Sequence, residues 1–193
     1  MALYNYPESN LKLIKAYKLE EHPEGGFFVQ TEMIDEVVPS PYADGAARSL
    51  ATQIFYLLTP ESGRGRMHMN KSATFHLHHA GRALYTLVNP QTSPPEIKRV
   101  VMGPNSSAGE LKQLFVGGGW WKASEIPEED LRAAGEDQEK KERTGCLISE
   151  VVVPGFHWED HAFLDEAGLR ELAKGDERLV EELKKYVRPT RDA

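Results

Sequence analysis

The stretch from Gly65 to Gly81 reads GRMHMNKSATFHLHHAG and holds four of the chain's seven histidines. Two short strands are expected in it, around 66–69 and 73–79, the second closed by Ala80-Gly81. Side chains alternate across a strand, so Thr74, His76 and His78 share one face and His79 takes the other, solvent side. His68 could join the first face from a neighbouring strand. Three convergent imidazoles point to a metal site or to acid–base chemistry. A register shifted by one residue would turn Phe75 and Leu77 inward instead.

Outward from this stretch the chain continues as strands. LATQIFYLLT, from Leu50 to Thr59, is a near-continuous apolar and β-branched run that ends at Pro60. Upstream, Ser9 or Asn10 caps a short helix carrying Leu11, Ile14 and Tyr17, and HPEGGFFVQTEM gives a Pro/Gly turn followed by a strand from Phe27 to Met33. Residues 35–48, with two prolines and a glycine, read as a loop that could cover a pocket mouth. Downstream, strands are expected at 83–88, 96–102, 110–116 and 146–153, separated by Gly/Pro turns. Many short strands at close spacing indicate an antiparallel sandwich or barrel. Residues 126–143 are acidic and poor in large apolar side chains, a solvated loop or frayed helix. Asp165 caps a helix presenting Leu169 and Leu172, and after Gly175 a second helix carries Leu179, Val180, Leu183 and Val187 on one face. Both are expected outside the sheet.

Composition sets limits on function. A chain of 193 residues falls within the roughly 100–200 residues of one domain, so a single unit over 1–193 is expected, with a core at about 11–163 and a helical tail at 165–187. No apolar run approaches the roughly 20 residues that cross a bilayer, which reads as a soluble protein without a membrane partner. A net charge of −7 without clustered Lys and Arg argues against nucleic acid. Cys146 is the only cysteine, and the Met1 end lacks a basic segment followed by an apolar signal core; a cytoplasmic location is expected. Beside Leu147 and Ile148, Cys146 reads as a buried structural thiol.

HPEGGFF, TQIFYLLTP, the region from His68 to Gly81, VGGGWWKAS and VVPGFHWEDHAFLD, followed by a two-helix tail, together resemble the cupin-5 or DUF985 type of cupin. The resemblance runs from about residue 11 to 187. It implies a mainly β, double-stranded β-helix (jelly-roll) barrel with a short N-terminal helix and two C-terminal helices, a cavity of small-molecule size and commonly a homodimer. It implies no established reaction. In the wider cupin superfamily a metal is held by His-x-His, a Glu, and a later His. At those positions this chain carries His68, Asn70, Thr74 and Lys122, so one ligand remains. The cupin-5 type usually has Glu at Thr74, Gln at Lys122 and Glu at Gln30, so the resemblance implies a pocket that has lost two of its usual carboxylates here.

With Thr74, His76 and His78 facing the interior beside His68 and Lys122, the barrel would hold several imidazoles and an amine. Such groups are costly to bury without partners or a ligand. A neutral histidine can remove a proton near pH 7, and a buried Lys can act as a base or stabilise an enolate or a substrate carboxylate. The expectation is a metal-independent enzyme with no cofactor. It would use His68, His76, His78 and Lys122 for general acid–base catalysis on a small carbonyl- or carboxylate-containing molecule, by isomerisation, epimerisation, dehydration or decarboxylation. Tyr56, Thr74, Gln30, Tyr85, Trp121 and Glu24 are the candidate substrate-binding residues. One alternative is a non-catalytic cupin that binds a small ligand. The other is a metal-dependent cupin using His68, His76 and His78. His157, Glu159, Asp160 and His161 read as a polar surface turn.

Overall fold

A computed structural model describes residue 6 and residues 8–187; the ends of the expected 1–193 unit lie outside these. In chain order come α1 (Asn10–Tyr17), β1 (Glu20–Glu21), β2 (Phe27–Met33), β3 (Val37–Pro39), β4 (Ala47–Ser49), β5 (Thr52–Leu58), β6 (His68–Asn70), β7 (Ala73–Gly81), β8 (Ala83–Asn89) and β9 (Glu96–Met102). They are followed by β10 (Gln113–Val116), β11 (Trp121–Glu125), α2 (Glu128–Ala134), α3 (Gln138–Glu142), β12 (Cys146–Val153), β13 (His161–Phe163), α4 (Glu166–Ala173) and α5 (Glu177–Leu183).

The strands form two main antiparallel sheets, ordered β1-β2-β5-β12-β7-β10 and β13-β6-β11-β8-β9, with β3 and β4 as a separate hairpin. Strands distant in sequence are thus neighbours, as in the double-stranded β-helix. Between the sheets lies a core of Tyr56, Leu58, Tyr85, Leu87, Met102, Val116, Cys146 and Ile148. The outer faces are also covered. Helix α1, capped by Ser9, packs Leu13 with Tyr6 and Leu19 over Leu57 and Leu147, while α4 and α5 pack Leu169, Leu172, Leu179 and Leu183 onto Met67, Val88 and Ala123. Burial on both faces accounts for the near-continuous apolar run of β5.

Three segments differ from the sequence-based expectation. The 35–48 loop contains most of a two-stranded hairpin, in which Val37 pairs with Ser49. The 126–143 segment forms α2 and α3, the first tied to the barrel by Arg82, whose guanidinium donates to Asp130 and Glu129. Residues 157–161 are not all a surface turn: Asp160 is buried against Arg48, and the His161 ring is turned inward. Among the described residues, no helix is long and apolar enough to cross a membrane.

Candidate functional site

Strand β7 presents Thr74 and His76 to the interior and exposes Phe75. The register extends this face across the six-stranded sheet in one row, Gln30–Ile54–Glu150–His76–Leu114. From the facing sheet Lys122 enters on β11, directly opposite His68 on β6 and Leu87 on β8. Cross-strand partners have Cβ atoms about 5 Å apart, so Lys122 and His68 are immediate neighbours.

Lys122, at 2% exposure, reaches across the barrel. Its Nζ donates to Glu150 Oε1 at 2.5 Å, Thr74 Oγ1 at 3.2 Å and His76 Nε2 at 3.2 Å. An ammonium has three donors, and here all three have acceptors. His76 Nδ1 lies 3.4 Å from the Leu114 carbonyl, which can only accept, so Nδ1 carries the hydrogen and Nε2 is open to Lys122. The same Nε2 lies 3.1 Å from Glu150 Oε2, a partner for any proton that arrives there. Burial works to raise the Glu150 carboxyl, but Lys122 and His76 outweigh it and hold it well below the usual range.

A second cluster forms around Glu24, in the turn between His22 and Gly26. His161 Nε2 donates to Glu24 Oε1 at 3.0 Å, and His68 Nε2 lies 3.3 Å from Oε2. His22 Nδ1 accepts from the Glu24 amide at 3.1 Å. Burial opposes ionisation of Glu24, yet the His68, His161 and His22 imidazoles bring its carboxyl down to about 2. Burial also pushes His68 down to about 4, and lowers His22. The His68 and His161 rings stack with centroids 5.5 Å apart. At neutral pH the interior therefore holds two carboxylates, one ammonium and a His68 ring without charge.

Tyr56 donates to the Gly25 carbonyl at 2.9 Å, and Tyr85 meets the His76 ring edge-on at 5.2 Å. Burial raises both phenols well above their ordinary value. Gln30 shares the interior row but is solvent-exposed at its end. His78 keeps to the face of His76, yet its Nε2 bonds the Gly81 carbonyl at 2.8 Å, a strand-end contact apart from the Lys122 cluster. His79 is exposed, with Nε2 2.7 Å from Ser149 Oγ. Trp121 points away from the barrel, into the layer under the C-terminal helices. Burial pushes the Cys146 thiol up to about 12, so it is no nucleophile.

The sequence assigns no role to Glu150 or His22 and places His161 only in a surface turn. Glu150 left a signal: it is the single charged residue in CLISEVVV, on the same strand face as Ile148 and Val152, where a carboxylate requires a partner. His161 left little, because a three-residue strand carries no periodicity of its own.

The positions that the cupin resemblance assigns to metal ligands do not fit a divalent ion. Lys122 brings a positive charge among them and is itself held by Thr74, His76 and Glu150. His78 is turned to Gly81. Among the described residues, no group of three or more His, Cys, Asp or Glu is arranged to hold a metal.

Comparison with known proteins agrees with this architecture. Residues 11–164 match the family model described as Cupin_5, cupin superfamily (DUF985). An uncharacterised protein of Saccharomyces cerevisiae is 36% identical over 185 residues, which span 91% of this chain and 85% of that protein. A hypothetical protein from Leishmania major of solved structure is 27% identical, superimposes with a TM-score of 0.75, and is covered to 97% by 90% of this chain. A Shewanella oneidensis protein, at 21% identity, has the same fold with a TM-score of 0.73, over 94% of this chain and 99% of that one. The chain belongs to the Cupin_5 (DUF985) family of the cupin superfamily.

Proposed function

We propose that the barrel interior is the active site of an enzyme that moves a proton next to a carbonyl group by general acid–base catalysis, with no metal in the reaction. The observation that carries this reading is the pairing of Lys122 with His68 on neighbouring strands, which sets an amine and an imidazole on one interior face. His68 Nδ1 faces the Arg66 carbonyl at 2.9 Å and must donate to it, which leaves Nε2 as the base. A carbon-bound proton passing to Nε2 makes an imidazolium beside the Glu24 carboxylate, 3.3 Å away. The electron pair left on substrate delocalises to the carbonyl oxygen, where Lys122 exchanges its contact with Thr74 for the developing enolate. Return of the proton to the same carbon gives exchange, and its delivery to the opposite face gives epimerisation; in a hydroxycarbonyl, passage of the hydroxyl proton to the enolate oxygen and of the carbon-bound proton to the former carbonyl carbon completes an isomerisation.

The test is deuterium incorporation α to the carbonyl of small hydroxyketones and hydroxyaldehydes in D₂O, followed by NMR. Wild-type protein should catalyse it, and His68→Gln or Lys122→Met should slow it by about 10²–10⁴-fold, the usual contribution of a positioned acid or base. Exchange that is equally fast in both variants would contradict the assignment. A non-catalytic ligand-binding role is favoured by one observation, that every Lys122 donor is already bonded. That role predicts altered affinity and no exchange in any variant.

A further inference from the structure

The two carboxylates of the interior are not equivalent. Glu150 has a cation of its own, because Lys122 Nζ sits 2.5 Å from it. Glu24 has none: among the described residues its side-chain partners are the three imidazoles of His22, His68 and His161, with no lysine or arginine side chain. The hydrogen positions sharpen the contrast. His161 Nε2 donates to Glu24 Oε1. Burial keeps the His68 ring neutral, and with Nδ1 donating to the Arg66 carbonyl the nitrogen it turns toward Glu24 Oε2 carries a lone pair. His22 Nδ1 is occupied in accepting the Glu24 amide, so it too offers Oε2 no hydrogen. Two acceptors, Glu24 Oε2 and His68 Nε2, thus lie 3.3 Å apart with no donor between them. A carboxylate oxygen facing a lone pair at that distance is repulsive unless something positive or hydrogen-bearing joins them.

A third acceptor lies on the same strand. Asn70, more than nine-tenths buried, shares the interior face of β6 with His68, since Met69 between them pairs with the helix-facing Trp121. Its Oδ1 has no hydrogen-bond partner. Buried acceptors left unsatisfied in a native fold call for a ligand or water that supplies the missing hydrogens. The side chains of Glu24 and His22 keep 12% and 11% of their surface, so this cluster is not sealed from solvent.

We infer that the ligand of this site carries a protonated nitrogen, as an ammonium, amidinium or guanidinium group, which docks on Glu24 Oε2 with Asn70 Oδ1 as a further acceptor, beside the His68 Nε2 lone pair that serves as the base. This rests on the reading of the barrel interior as a small-molecule site and narrows its substrates to amine- or amidine-bearing carbonyl compounds. A substrate carboxylate would meet a Lys122 whose charge is already matched, and an unmatched Glu24.

Acetamidinium, acetamide and acetate have nearly the same shape and carry charges of +1, 0 and −1, so they isolate this inference from size. Binding of each to wild-type protein is followed by NMR of the histidine rings. The expected result is acetamidinium at least ten-fold tighter than acetamide, acetate weaker still, and the largest ring shifts at His68. Glu24→Gln should bring acetamidinium and acetamide to within about two-fold. Acetate or acetamide binding as tightly as acetamidinium would overturn the inference, as would an acetamidinium affinity indifferent to Glu24→Gln, or Zn²⁺ displacing acetamidinium stoichiometrically from Glu24 and His68. If Glu24→Gln does not fold, the wild-type series decides alone. Acetate preferred in that series together with deuterium exchange in the hydroxycarbonyl assay would refute the charge preference and leave the acid–base reading standing.

Discussion

His68 shows how one backbone contact sets the chemistry of a side chain. The Arg66 carbonyl fixes which ring nitrogen bears hydrogen, and burial keeps the ring neutral. With a folded-state value of about 4 against 6.5 when unfolded, the unfolded chain takes up the proton first as pH falls. Stability is therefore full above about pH 6.5 and is lost progressively down to about pH 4, by on the order of 3 kcal/mol for this group. Glu24, depressed from 4.5 to about 2, extends the loss below pH 4.5. Urea unfolding across pH 7 to 4 should show a steep decline in wild type and a shallower one in His68→Gln. Some slope should remain, because His22 is lowered in the same direction while Lys122, Glu150 and His161 face the same interior. Equal slopes in the two proteins would contradict the assignment.

At the scale of elements, strand alternation and its interruptions decide which residues meet. Alternation alone placed Thr74, His76 and His78 on one face, and β7 keeps that order. What sequence could not supply was the break next to β12: the ladder pairs His78 with Ile148 and Ala80 with Leu147, an irregularity at the end where His78 closes on Gly81. Gly81 itself marks this corner, with a φ of 72° and the Gly145 carbonyl where a side chain would begin. Gly81→Ala should lower stability by at least about 2 kcal/mol, through left-handed strain and overlap with that carbonyl, as read from denaturant midpoints. The side that Trp121 faces is hidden in the sequence for a related reason. In VGGGWWKAS, the glycines hide which of the paired tryptophans faces inward, and only the pairing of Lys122 with His68 shows that Trp121 belongs to the helix side.

Across the whole molecule, the strands were legible where apolar residues alternate or run together, and the two-helix tail where Asp165 and Asp176 cap amphipathic segments. The site was legible only in part, because it is assembled from six separated segments. Glu24 comes from a turn, His68 from β6, His76 from β7, Lys122 from β11, Glu150 from β12 and His161 from β13. Glu150 and His161 complete the charge pattern, and neither can be joined to it by spacing along the chain. The long-range order of the two sheets creates those contacts, and with them the difference between a carboxylate matched by Lys122 and one that, among the described residues, has no lysine or arginine partner. Both the acid–base reading and the preference for a protonated nitrogen depend on one property, a free Nε2 lone pair on His68 beside an ionised Glu24. Long-range ¹H–¹⁵N NMR of the histidine rings at pH 7 reads it directly. The account predicts a neutral His68 with hydrogen on Nδ1 and an Nε2 shift typical of an unprotonated nitrogen; an imidazolium, or hydrogen on Nε2, would contradict it.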